Sequence, residues 1–446
     1  MRSLLTAVAF ALVAAPAVAQ WDPFNADWGK SDETDLRVMT WNVQDGICRT
    51  NSKADAFDNW NGIVRIIASL QPDVLILQEC ADNSGNGTGS GADSVAQLTD
   101  VCELLFHGGA DPYAGGTVGS YVQLFVPAYD LPYIFVTPSS DGFNRNVILS
   151  RYPFADLNGN GTSQLGDFFQ LPDATAWDHG LNGGIRGFMH AEIDLPDSVY
   201  AGDVIVGNSH LKAGGSSSDQ ADRLDAAKAI AYYIQYYFNG NQSGNDDPND
   251  VVINPADGTL TDPNTPVIWG GDWNNNPSSK GPVEWMVQAQ FSGGTSDGTD
   301  RDGTDCLRDF AVHPTTGSTT TQGSSKLDYL AWQDSIATAR RQFLFNSSGM
   351  QTADIPFPAD GFPVNAGLIS SFAADHRPVV VDFILPLAPQ CFCDCDGNGM
   401  LNIDDVDCFV AGFVGGDLGV ADCDGSGGLN IDDVDCFVAC FIATCP

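Results

Sequence analysis

Short apolar runs that begin or end on a carboxylate, an amide or an imidazole recur along this chain, and they limit its fold more than any other feature. The plainest is PVIWGGDWNNNP, 266–277. Val267-Ile268-Trp269 reads as a buried strand, and Gly270-Gly271 ends it. Asp272 and Asn274 emerge two residues apart, so on an extended tip their side chains share a face. A carboxylate and an amide aimed into one cleft can hold a water and steady a developing oxyanion. D-x-N in a loop is also ordinary turn chemistry, so the weight lies in the other runs.

From Asp35, DLRVMTWNVQDG marks a strand through Leu36, Val38 and Trp41, with Asn42 near its end. GIVRIIASL (62–70) has a helical pattern, closed by Gln71-Pro72. PDVLILQEC (72–80) is a fully buried strand that stops at Gln78-Glu79. A carboxylate directly after Val-Leu-Ile-Leu is costly unless it is solvated, paired or bound to metal. Residues 81–100, rich in Gly, Ser, Asn and Asp, read as an exposed loop. GFNRNVILSRYPF (142–154) is a strand preceded by Asn144, Arg145 and Asn146. Residues 183–194 and 203–214 read as neighbouring strands, the second ending in His210 and Lys212. A helix over 222–238 places Leu224, Ala227, Ile230 and Ile234 on one face. KLDYLAW (326–332) is a strand interrupted by Asp328. AADHRPVVVDFIL (373–385) sets Asp375 and His376 at the start of another, where Pro378 forbids a helix. A buried aspartate beside a strand and an Asp-His pair are what orienting and charging an imidazole requires.

Carboxylates, amides and two histidines, without a plausible Ser or Cys nucleophile, point to metal-assisted hydrolysis. The ligand types are the hard oxygens that Mg²⁺ or Mn²⁺ prefers. Net charge bears on the substrate: 19 Lys and Arg face 57 Asp and Glu, for −38 overall. Phosphate neutralisation drives nucleic-acid affinity, so this balance opposes a tight polyanion binder. It does not oppose an enzyme that meets phosphates only in a metal-lined cleft. Arg145, Arg151, Arg186, Lys212, Arg223 and Lys228 gather in the middle third, as a local basic rim or as scattered surface charge.

The ordered pieces TWNV, LQE, NVILSRYP, SHLK, GGDWN, LDY and DHRPV resemble the endonuclease/exonuclease/phosphatase superfamily, over roughly residues 35–385. The resemblance implies an α/β four-layer sandwich, with two mixed β-sheets face to face, helices outside and the active site at the strand ends. It implies Glu79 as principal Mg²⁺ ligand with Asn42 beside it, and Asp375 as a metal ligand, direct or at one remove. Asp272 would orient or deprotonate the attacking water, and Asn274 would hold a phosphate oxygen. His376 would stabilise the phosphorane or protonate the leaving oxygen, with Asp328 fixing its tautomer. His210 matches the second histidine of the deoxyribonuclease-like and sphingomyelinase-like branches, and Asn146 and Arg186 match substrate-contacting positions. The implied activity is phosphodiester hydrolysis. Nucleic acid is the favoured substrate, and a sphingomyelinase-type phospholipid activity is the alternative. A scaffold or adhesion protein without catalysis is the reading from another class, opposed by the intact set of residues.

The two ends carry separate signals. Residues 1–19 have the charged start, apolar run and Ala17-Val18-Ala19 site of a secretory leader, and no later stretch approaches membrane-spanning length. Export makes disulfides among the 12 cysteines an expectation, with the pairing open. The catalytic body is expected over 35–388 and a tail module over 391–446. The tail repeats itself, 393–413 recurring at 421–441. Asp394, Asp396, Asn398 and Asp405, and in the second copy Asp422, Asp424, Ser426 and Asp433, fall at positions 1, 3, 5 and 12 of a Ca²⁺ loop. The tail resembles a dockerin, a small all-α Ca²⁺-loop module. That resemblance implies a cohesin-like partner or attachment at the cell surface, and the eight cysteines of the tail depart from it.

Overall fold

The computed structural model describes residues 21–25, 27–48, 53, 58–81, 93–138, 140, 144–157, 159, 165–168, 188–234, 263–276, 281–288, 307–348, 366–388, 393–395, 401–423 and 426–443. Two compact units result. The first holds Met1–Leu195 and Asp203–Pro386, the second Pro196–Gly202 and Leu387–Pro446.

A two-stranded hairpin opens the first unit, β1 (Trp21–Asp22) with β2 (Asp27–Trp28). The remaining strands are β3 (Leu36–Asn42), β4 (Val74–Gln78), β5 (Tyr133–Val136), β6 (Val147–Ser150), β7 (Leu165–Phe168), β8 (Phe188–Ile193) and β9 (Val204–His210). They continue as β10 (Val267–Asp272), β11 (Leu307–Arg308), β12 (Asp328–Trp332), β13 (Thr338–Leu344) and β14 (Val379–Ile384). They build two six-stranded mixed sheets, ordered β13-β14-β3-β4-β6-β5 and β11-β12-β10-β9-β8-β7. Each sheet has one parallel pair at its centre, β3/β4 and β9/β10, and antiparallel neighbours outside it.

Helices make the crossovers that parallel pairing demands. α1 (Asn59–Leu70) links β3 to β4, starting on an Asp58 cap whose carboxylate accepts from the Asn61 N–H. α2 (Val95–His107) and the short α3 (Val122–Phe125) follow β4. α4 (Ser217–Tyr233) and α5 (Pro282–Gln288) flank the second sheet, and α6 (Ile369–Ala373) precedes β14. Side chains alternate along each strand. Met39, Trp41, Leu75 and Leu77 join the core against the first sheet's helices, while Trp269 and Tyr329 join that of the second sheet. Between the sheets Trp332 meets Phe383 edge-on, ring centroids 5.1 Å apart. One polar tie crosses there: the Asn208 amide donates to the carbonyls of Leu77 and Val147 and accepts from Gln78. Every atom of that tie is buried, so sliding one sheet over the other would orphan several donors at once.

The exposed loop expected over 81–100 is corrected in part. Residues 82–92 lie outside the described set, but Ser94 caps α2, and Leu98, Val101, Cys102 and Leu105 form a buried stripe at helical spacing. The Gly/Ser-rich stretch before Ser94 hid that pattern. Within PYIFVTP (132–138), Tyr133–Val136 form the outer strand β5 of the first sheet.

In the second unit, α7 (Ile403–Gly415) and α9 (Ile431–Ala443) follow the two repeat loops, and the short α8 (Leu418–Ala421) lies between α7 and the second loop. Asn402 and Asn430 cap the two long helices alike, each accepting from the N–H two residues on and donating its own N–H to Asp405 or Asp433. Cys395–Cys408 and Cys423–Cys436 staple loop to helix within each copy, and Cys393–Cys440 joins the copies. Phe409 and Phe437 stack at 4.1 Å between the copies. Among the described residues, the disulfides lie in the tail. In the first unit Cys48, Cys80 and Cys102 are buried thiols, and burial pushes each of them up into the inert protonated form.

Candidate active site

Both parallel pairs end on the same side, and the site is built from those ends. Asn42 closes β3 and Gln78 closes β4 as its register partner, with Glu79 next. His210 closes β9 opposite Asp272, which closes β10. β12 runs antiparallel to β10, so its first residue, Asp328, pairs with Asp272. β14 runs antiparallel to β3, which brings His376, three residues before it, to the same end. Topology alone thus gathers Asn42, Glu79, His210, Asp272, Asp328 and His376 at one end.

Asp272 is the common neighbour. Its Oδ2 accepts from the Asn42 amide at 3.0 Å and lies 3.4 Å from His210 Nε2 and 3.7 Å from His376 Nε2. Its Oδ1 accepts from the Asn274 N–H at 2.9 Å. Asp272 is 2 % exposed, and burial, then repulsion by Asp328, pushes its carboxyl up to about 7, against the pull of His376, the Asn274 N–H and the Asn42 amide. A carboxylate poised there is matched to proton transfer near neutrality.

His376 donates from Nδ1 to Asp328 Oδ2 across 2.7 Å, which leaves Nε2 turned to Asp272. Burial opposes its charge, but the Asp328 carboxylate, with help from Asp272 and Asp375, lifts the imidazole to about 10. His376 is therefore a stored proton donor, and its backbone carbonyl is pinned by the Trp41 indole at 3.1 Å.

Glu79 lies 3.6 Å from His210 Nε2, with its side chain about a quarter exposed. It and Asn274 hold left-handed backbone, φ 54° and 50°, where non-glycine residues seldom sit. In both cases the strand has ended and the chain turns abruptly, and the turn aims the side chain. Asn274 also donates from its amide to the Leu211 carbonyl at 3.0 Å. Asn146, beside β4 at the head of β6, is 1 % exposed, and neither polar atom of its amide has a partner. A fully buried amide without a partner is costly, and such groups mark ligand positions. Asp375 is exposed; its carboxylate accepts from Gln322 at 2.8 Å and its N–H donates to Gln44.

Asp272, Asp328 and His376 could also hold an ion, their ligand atoms lying within 4.8 Å of one another. Asp328 already engages His376 Nδ1 at 2.7 Å, so an ion held by this trio would take Nε2, which faces Asp272. Glu79 and Asn42 offer the oxygen atoms that a hard divalent cation takes, the Asn42 Oδ1 also accepting from the Gln44 N–H at 3.0 Å. Of the expected substrate contacts, Arg186 lies outside the described residues. The basic rim does not form from the described candidates. Arg145 donates to the carbonyls of Asp93, Thr137 and Pro138, Arg151 pairs with Asp73, and Arg223 donates to the carbonyls of Lys212 and Gly214. Lys212 faces Asp219 at 3.8 Å.

Gln44 and Gln322, which hydrogen-bond Asp375, carry no sequence signal, the second lying in the polar run GSTTTQGSSK. In the tail, Asp422 accepts from the Gly427 N–H at 2.9 Å, as position 1 of a Ca²⁺ loop does toward position 6. Asp396, Asn398 and Asp424 lie outside the described residues, as does the leader.

The profile of the Endonuclease/Exonuclease/phosphatase family matches residues 39–331, more than half of the chain. The chain belongs to this family. Its members are hydrolases acting on phosphoester bonds. Similar solved structures include an endonuclease/exonuclease/phosphatase from Beutenbergia cavernae, 18% identical, covering 80% of this chain and 73% of that one, with a TM-score of 0.42. The human Nocturnin catalytic domain is 14% identical over 79% and 95%, TM-score 0.39, and sphingomyelinase C from Streptomyces griseocarneus 14% over 78% and 99%, TM-score 0.40. No curated protein matches the chain. Asn42, Glu79, His210, Asp272, Asp328 and His376, which the resemblance singled out, are the side chains that the strand ends bring together.

Proposed function

We propose that the chain is an exported, Mg²⁺- or Mn²⁺-dependent phosphodiester hydrolase that acts on nucleic acid. The observation that carries the reading is Asp272, whose carboxylate has an amide and two imidazoles as neighbours. Glu79 and Asn42 would hold the cation, with Asp375 as a further ligand, and the ion would neutralise charge on the phosphoryl oxygens. Asp272 takes the proton of the attacking water, with His210 on its other side. Asn146 and Asn274 hold the non-bridging oxygens. His376, charged by Asp328, steadies the phosphorane and returns a proton to the leaving oxygen. Displacement is in line and needs no covalent enzyme intermediate.

One observation favours a second substrate class. The described middle-third arginines serve internal partners, and the chain carries a net charge of −38, which suits a phosphodiester with few charges, such as a sphingomyelin-type lipid, better than a polyanion. The tail, in this reading, is a disulfide-stapled, dockerin-like Ca²⁺ module that docks the enzyme on a cohesin-like or cell-surface partner. Its support is the duplicated loop-helix pattern and the Asp422–Gly427 bond. Hydrolysis of DNA, RNA and sphingomyelin offered in parallel tests the substrate. Turnover of the lipid alone selects the second reading.

A further inference from the structure

The catalytic pair Asp328 and His376 comes from two different sheets, and something must fix the gap between them to hydrogen-bond distance. Asp328 opens β12 of the second sheet, whereas His376 lies ahead of β14 in the first. One residue touches both leads. Thr321 is 1 % exposed, and its hydroxyl oxygen accepts from the Leu327 N–H at 2.8 Å and the Asp328 N–H at 3.2 Å. Its carbonyl accepts from the Arg377 N–H at 2.8 Å. The next residue, Gln322, bridges His376 along the backbone and holds Asp375 with its amide. The hairpin folds back through paired bonds between residues 321–322 and Ser325, so Thr321 cannot drift by itself.

We propose that Thr321 is a positioning residue: its hydroxyl clamps the first turn of the Asp328 strand while its carbonyl clamps the His376 lead, setting the Asp328–His376 spacing. This rests on the hydrolase reading for its catalytic consequence, though not for its structural one. A threonine that merely closed a turn would need neither the paired strand N–H groups nor the carbonyl bond to the opposite sheet. Nothing in Thr321 touches substrate. It acts through the dyad.

The test compares the full chain with Thr321→Val, which keeps the shape and removes the hydroxyl, and Thr321→Ser, which restores it. With Mg²⁺ and bis(p-nitrophenyl) phosphate, Thr321→Val should lose kcat by about tenfold or more, since small misplacements at a reacting centre are expensive. KM should stay within about twofold, because binding groups are untouched. Thr321→Ser should return most of the rate. A second readout needs no turnover: the Nδ1–H of His376 in its short bond to Asp328 gives a far-downfield proton resonance, assigned by its absence in His376→Gln. It should broaden away or move upfield in Thr321→Val and persist in Thr321→Ser. An unchanged signal in Thr321→Val, equal failure of both variants, or no such signal in the wild type would overturn the proposal. A wild type that hydrolyses nothing yet shows the expected proton shifts would instead remove the hydrolase reading and leave the clamp standing.

Discussion

Asp272 and His376 respond to pH in ways that a titration of stability can read. The Asp272 carboxyl is raised to about 7 by burial and by Asp328, so the folded chain prefers it protonated. Its favourable contribution is complete below its ordinary value of 3.8 and is lost as pH climbs through about 7. The His376 imidazole, raised to about 10 chiefly by Asp328 and against burial, contributes fully below 6.5 and loses that contribution as pH rises through 10. Metal-free protein should therefore lose stability from pH 4 to 7 relative to Asp272→Asn, measured as the difference between their melting curves. Divalent cation held by Glu79 and Asn42 should narrow that difference, because a positive charge beside Asp272 favours its deprotonated form. Asn146 gives a cleaner separation of binding from folding. Its amide makes no hydrogen bond in the folded chain, so Asn146→Ala should change stability by less than about 1 kcal/mol. Its kcat/KM should nevertheless fall, about tenfold or more, if the amide meets a phosphate oxygen. Loss of stability without loss of rate would make it a structural residue.

The strand ends work only if the strands stay in register, and β10 has one residue that enforces this. Gly271 sits at φ 142°, and a Cβ there would run into the backbone carbonyl of Ser209 on β9. Gly271→Ala should push β10 off β9, separate Asp272 from His210 and destabilise the protein by about 3 kcal/mol or more. A thermal melt matching the wild type would show that the strands can part freely. These strands were legible because both faces are buried: Val-Leu-Ile-Leu before Glu79 and Val-Ile-Trp before Asp272 have no polar alternation to confuse with a surface strand. β13 was not legible, since TARRQFL lies at a sheet edge, with exposed and half-buried residues until Phe343 and Leu344 and no apolar alternation to mark it. α2 was masked by its Gly/Ser-rich approach. Asp272, His210, Asp328 and His376 could be singled out because ionisable groups beside apolar runs demand a partner. Their distances could not, because those depend on how two sheets stack. Thr321, in a run of small polar residues, was silent for the same reason.

At the scale of the molecule, two units meet two different demands. The first has an extensive hydrophobic core, and its described cysteines are buried thiols. The tail is small and relies on disulfides, with a described core built around Phe409, Phe437 and neighbouring half-cystines. If the loops bind Ca²⁺ as proposed, calorimetry on the full chain should show two sites, and Asp394→Ala and Asp422→Ala should each remove one; unaltered isotherms would exclude the loops. The net charge of −38 sets the hardest condition on the enzyme, for any polyanion must approach an acidic body. The measurement that bears most directly on the whole account is hydrolysis by the purified chain with Mg²⁺, beside His376→Ala. DNA, RNA and sphingomyelin should be offered in parallel. Cleavage of at least one phosphodiester, dependent on the cation and reduced by about a hundredfold or more in the variant, is the expected result. Equal rates in the two proteins, or no phosphodiester cleaved under any divalent cation, would contradict it.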